Sequence, residues 1–172
     1  MDIRYDKITV GIGKYNRIMQ QVRQTDVSMD EDFKKLYNGF YRLRQRPASF
    51  YRCYYAYMEE QKNNQNLTFE EVLRHLYDQT GAIHASFSSK LLATLNPNMP
   101  VWDKFVLKNL GLRAPYTYQK NRFEKTVALY DTICQWYKTE EAAMYLAEFN
   151  AHFPNENMSD VKKIDWILWG MQ

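Results

Sequence analysis

The amino-acid sequence predicts an all-α protein of about eight or nine helices. Three observations lead there. Apolar residues recur at three- and four-residue spacing along most of the chain, helix-starting residues precede those stretches, and no convincing run of alternating strands interrupts them. No Pro-, Gly- or Ser-rich linker and no repeat of twenty to fifty residues is visible. The 172 residues therefore read as one all-helical domain, 1–172, in two lobes.

At 45% apolar and 16% aromatic residues, with six glycines and five prolines, the composition suits a packed core and argues against disorder. The net charge of +3 is compatible with a polyanionic partner without demanding one. Cys53 and Cys134 lie far apart and form no CxxC pair, which excludes a cysteine-rich metal site and fits a reducing compartment. The polar start MDIRYDK and the lack of a long apolar run predict a soluble, unprocessed, cytoplasmic protein with no membrane partner.

Residues 1–14 read as a short strand or an extended arm. Their Gly11-Ile12-Gly13-Lys14-Tyr15 lacks the spacing and the hydroxyl of a phosphate loop. Tyr15, Ile18, Met19 and Val22 then form one helical face. Ser28 and Glu31 have capping-box spacing, so a helix is expected to start there, with Phe33, Leu36, Tyr37 and Phe40 as its stripe, and to run to the Arg46-Pro47 step. Pro47 suits the opening of a helix over residues 48–61, which carries Phe50, Tyr51, Tyr54, Tyr55, Tyr57 and Met58. These rings are either core or the lining of a base-sized pocket. Arg42, Arg44, Arg46 and Arg52 around this junction are either a solvated basic edge or phosphate contacts.

A second capping box, Thr68 with Glu71, starts a helix carrying Val72, Leu73, Leu76 and Tyr77 that should end close to Gly81. Beyond Pro115 a long helix covers about residues 119–138, with Phe123, Val127, Tyr130, Cys134 and Tyr137 on one face. Thr139 restarts a helix with Met144, Leu146, Phe149 and Phe153 as apolar members. Ser159 caps a last helix, SDVKKIDWILWGMQ, so apolar on most sides that it must be largely buried.

Several chemistries lack their constellations: there is no GxSxG elbow and no HExxH, and His75, His84 and His152 do not fall at ligand spacing. The pairs Glu59-Glu60, Glu70-Glu71 and Glu140-Glu141 are explained by helix ends and solvation. What remains is TGAIHASFSSKLLATLNPNMPVWDKFVLKNLGL, residues 80–112: a hairpin at Gly81, a helix over about residues 84–95, a loop of Asn and Pro, Asp103, and a short helix closed by Gly111.

This stretch resembles the helix-hairpin-helix superfamily of DNA glycosylases, which includes endonuclease III and the archaeal 8-oxoguanine glycosylases. The resemblance covers some thirty-five residues. It implies a two-lobed helical fold with a cleft, duplex DNA bearing a modified or damaged base as partner, and Asp103 as the catalytic carboxylate. Ala85 stands eighteen residues before Asp103, where endonuclease III-like members carry their lysine nucleophile, so base release without strand cleavage is the implied activity. The second hairpin glycine corresponds to Ile83. Gly81, His84, Ser86, Lys90 and Lys104 are the implied DNA contacts, with Arg42, Arg44 and Arg46 added by their clustering. No cofactor is expected, since the four-cysteine cluster of some members has no counterpart. Two other readings stand beside this one: a hairpin module that binds DNA without chemistry, and a helical protein-interaction domain in which Asp103 only caps its helix.

Overall fold

A computed structural model describes residues 2–171, and among them the chain is all α-helical, with nine helices and no strand. In order these are α1 (Tyr5–Gln24), α2 (Glu31–Tyr41), α3 (Ala48–Gln61), α4 (Phe69–Thr80), α5 (Ala85–Leu95), α6 (Lys104–Asn109), α7 (Arg122–Trp136), α8 (Glu140–His152) and α9 (Asp160–Gly170). Contacts gather them into two compact units, Tyr5–Leu95 and a second formed by residues 2–4 with 96–171. No helix among the described residues is long and apolar enough to cross a membrane.

In the unit Tyr5–Leu95, α1 packs on α2, α4 on α5, and α3 on both α4 and α5. The helix α1 begins ten residues before the stripe that predicts it, taking in the stretch expected to be a strand or arm. Ile8, Gly11, Ile12, Tyr15, Ile18 and Val22 make one continuous buried face, and this burial outweighs the low helix propensity of Gly11 and Gly13. The expected Ser28 cap is also displaced. Ser28 donates its hydroxyl to Asp26 at 2.6 Å, and Asp30 is the N-cap, accepting from the Phe33 amide at 2.8 Å. At its other end α2 stops at Tyr41, six residues before Pro47. Arg42 takes a left-handed conformation (φ 57°), and the following Leu43 folds back, its amide donating to Asn38 O.

Four of the five aromatic residues of α3 are core, and Tyr51 is half-buried. Phe50, Tyr54, Tyr55 and Tyr57 are buried, with Phe50 stacked on Tyr54 at 5.6 Å. The Tyr54 and Tyr55 hydroxyls are satisfied internally: Tyr54 donates to Phe87 O and lies 3.0 Å from the Tyr37 hydroxyl, and Tyr55 donates to Asn38 at 2.6 Å. The capping box of α4 forms as the spacing requires, and Gly81 closes that helix at φ 73°.

In the second unit α9 packs against α6 and α8. The core stripe of α7 is turned by about one residue from the expected one: Thr126, Tyr130 and Ile133 are buried, while Phe123, Val127, Cys134 and Tyr137 are half-buried. Met144, expected as an apolar member of α8, is exposed. Thr139 and Ser159 cap α8 and α9 as their types dictate, and both cysteines are free thiols.

Candidate functional site

Asp103 is held by both sides of its own sequence. Upstream, the loop of residues 96–102 is pinned to the unit: Ser159 donates its hydroxyl to Pro97 O, Tyr130 donates to Pro100 O at 2.8 Å, and Val101 and Trp102 are buried. Downstream, Asp103 is the N-cap of α6, its Oδ1 accepting from the Phe105 and Val106 amides at 2.8 and 2.9 Å. Asn109, the last residue of α6, donates to Leu168 O on α9. The carboxylate is half-buried and its backbone is tied at several points.

Three further groups of the same unit lie within electrostatic reach of Asp103. They are Tyr137 at the end of α7 and the pair Lys162 and Asp165 in the first turns of α9. Lys162 and Asp165 are buried, the latter only 6% exposed. Tyr137 donates a short hydrogen bond to Asp165 Oδ1, while Asp165 Oδ2 is buried and accepts no hydrogen bond. Burial pushes the Asp165 carboxyl up to about 6 against the opposing pull of the Lys162 charge and the Tyr137 hydroxyl. The Asp103 charge raises it further. Burial lowers the Lys162 ammonium, with Asp165 and Asp103 opposing, and raises the Tyr137 phenol well above its ordinary value. The cluster thus holds two carboxylates in unlike environments, one buried and one half-buried, beside a buried cation. Paired titratable groups of this kind are where acid and base roles are found.

Neither Lys162 nor Asp165 nor Tyr137 stands out in the one-dimensional pattern. One signal was there: a lysine and an aspartate at i, i+3 inside a helix whose apolar content already requires burial.

Of the predicted residues, Asp103 and Lys104 belong to this unit and the other seven to the unit Tyr5–Leu95. Lys104 is exposed, its ammonium 4.8 Å over the Phe105 ring. In the other unit, three predicted contacts converge on one ring. Arg46 lies 5.1 Å and Lys90 5.5 Å over Phe87, and His84 stacks beside it with ring centroids 6.0 Å apart. Burial, then the Arg46 charge, lowers the His84 imidazole. Lys90 also donates to Tyr41 O, tying α5 to the end of α2. Ser86 is half-buried in the first turn of α5, its carbonyl accepting from the Ser89 hydroxyl. Arg42 and Arg44 are exposed.

The hairpin's own amides are engaged locally. Gly81 N–H donates to Tyr77 O at 2.7 Å, and Ala82 N–H to the Thr80 hydroxyl at 3.3 Å. Among the described residues no group of three or more His, Cys, Asp or Glu side chains is arranged to hold a metal ion. Compared with known proteins, the chain matches no family model, no curated protein and no solved structure.

Proposed function

We propose that this protein hydrolyses the N-glycosidic bond of a modified or damaged nucleotide in duplex DNA, with Asp103 as the catalytic carboxylate. The observation that carries the reading is Asp103 itself, a half-buried carboxylate on a pinned loop with buried Lys162 and Asp165 behind it. In the reaction the bond between the sugar C1′ and the base nitrogen breaks, and the base leaves with the electron pair. Water adds its oxygen to C1′, and its proton balances the departing base. Positive charge develops on the sugar as the bond breaks, and a fixed carboxylate beside it stabilises that charge without reorganising. Oδ1 is fixed by the two cap amides, which leaves Oδ2 for the sugar or the water. No lysine stands at position 85, so no Schiff base forms there and strand cleavage is not part of the activity.

The same two cap hydrogen bonds favour a second reading, a DNA-binding hairpin module in which Asp103 only starts α6. One experiment separates the two. Base release is measured on a panel of damaged and modified duplexes for the parent, Asp103→Asn and Asp103→Ala. Asparagine keeps a side-chain oxygen for the cap and removes the charge, whereas alanine removes both. For a catalyst, both variants lose activity by about 100-fold or more, and only Asp103→Ala also loses about 1 kcal/mol of stability. The hydrolase reading fails if no duplex releases a base, or if Asp103→Asn matches the parent.

A further inference from the structure

The most exposed aromatic side chains of the protein lie just beyond α6. Tyr118 is 99% and Tyr116 72% exposed, in a segment that joins α6 to α7. A single tyrosine in solvent needs no explanation. Two within three residues, on a turn that is itself built, are different. The turn is closed twice by one residue pair: Gln119 N–H donates to Tyr116 O at 3.0 Å, and Tyr116 N–H donates to Gln119 Oε1 at 3.1 Å. At its upstream end, Gly111 (φ 67°) and Leu112 return hydrogen bonds to Lys108 and Leu107 of α6. At its downstream end, Asn121 takes a left-handed conformation (φ 56°) before α7. The rings are therefore presented on ordered backbone, with less conformational freedom to lose on binding.

Charge is the second, independent observation. Residues 104–123, the stretch between Asp103 and Glu124, hold five basic side chains, Lys104, Lys108, Arg113, Lys120 and Arg122, and no acid, in a chain whose totals of 23 basic and 20 acidic residues are nearly balanced. Lys104, Lys108, Arg113 and Lys120 are exposed and Arg122 is half-exposed. Such a run of exposed cations is complementary in charge to a phosphodiester strand. Exposed rings flanked by exposed cations are the arrangement that binds bases by their faces and the backbone by its charge.

We propose that residues 111–122 form a stacking surface for unpaired bases of a DNA strand, with Tyr116 and Tyr118 as the platforms and Arg113, Lys120 and Arg122 as phosphate contacts. Stacking needs bare base faces, which a paired duplex conceals, so the occupant is single-stranded or locally opened DNA. The surface begins one short helix after Asp103, about 9 Å along the axis of α6. It rests on the proposed function for the choice of nucleic acid as partner, and not for any chemistry at Asp103.

The test is fluorescence anisotropy of the full chain with a labelled oligothymidylate, and with a duplex of the same length. The single strand is expected to bind at least about tenfold more tightly than the duplex, with Tyr116→Ala and Tyr118→Ala each weakening it about tenfold and Tyr→Phe at either position leaving it near the parent value. Lys120→Gln should lower the slope of log affinity against log salt by about 0.7. Both tyrosines are exposed, so circular dichroism of the alanine variants should match the parent. The proposal is overturned if the duplex binds as tightly as the single strand, or if the doubly alanine-substituted protein binds like the parent. Base release measured in parallel separates the two ideas: activity without stacking sinks this surface alone, and stacking without activity sinks the hydrolase reading alone.

Discussion

Asp165→Asn isolates the cost of keeping a carboxylate inside α9. A carboxyl with a native pKa of about 6 and an ordinary value of 3.8 binds its proton more tightly in the folded protein. Folding is therefore favoured by protonation, and that contribution is present below about pH 4 and lost as pH rises through about 6. The full loss is about 3 kcal/mol, of which about 2 kcal/mol falls between about pH 4.5 and about pH 7.5. Asparagine does not titrate, so the variant should lack this decline. The assay is urea unfolding at the two pH values for parent and variant. All four tryptophans, Trp102, Trp136, Trp166 and Trp169, lie in the unit that holds Asp165, so their emission follows that unit. Titrations elsewhere in the protein are common to both and cancel in the double difference. Removing the Asp165 charge that opposes the burial cost of Lys162 lowers the variant at both pH values. Any further fall in the Lys162 pKa that reached this window would stabilise the variant at the higher pH and enlarge the double difference. A double difference near zero, or one in which the variant loses more stability on raising the pH than the parent, refutes the buried-carboxylate argument.

Two more outcomes test the other unit. Gly81→Ala should destabilise it by about 1 kcal/mol, because φ is 73° while the added methyl meets nothing within 4 Å, and Gly81→Asn should cost less. Tyr37→Phe removes a buried hydroxyl 3.0 Å from Tyr54 and 3.3 Å from Thr94 and should cost about 1 kcal/mol. Since no tryptophan lies in Tyr5–Leu95, near-ultraviolet tyrosine dichroism or amide exchange in α2 and α3 is the readout for both.

The local signals in the sequence were read correctly where one residue settled the outcome. Thr68 with Glu71, Gly81, Thr139, Ser159 and the Asp103 cap all carry their geometry in their own chemistry. They misled where neighbours compete. Ser28 has the spacing of a cap, but Asp26 takes its hydroxyl and Asp30, two residues on, captures the helix start. The early turns of α1 were hidden by two glycines, whose propensity says coil, because only the tertiary burial of Ile8, Gly11 and Ile12 makes them helical. Arg42 ends α2 in a conformation usually given to glycine, for which its residue type offers no warning. The candidate site divides in the same way. Asp103 was visible from its loop and its helix, whereas Tyr137, Lys162 and Asp165 come from α7 and α9 and become neighbours of it only when the unit is folded.

The Arg4 amide donates to Gly170 O at 3.0 Å, joining the two ends of the described chain within one unit. The segment Tyr5–Leu95 is thus inserted between the parts of the unit that holds Asp103. During synthesis from the N-terminus the inserted unit is complete before α9 has emerged, while Arg4 waits for that helix. Lys162 and Asp165 arrive with that same helix. The carboxylate cluster is therefore completed only once α9 has emerged, and a nascent chain truncated before α9 would carry Asp103 without the partners that surround it.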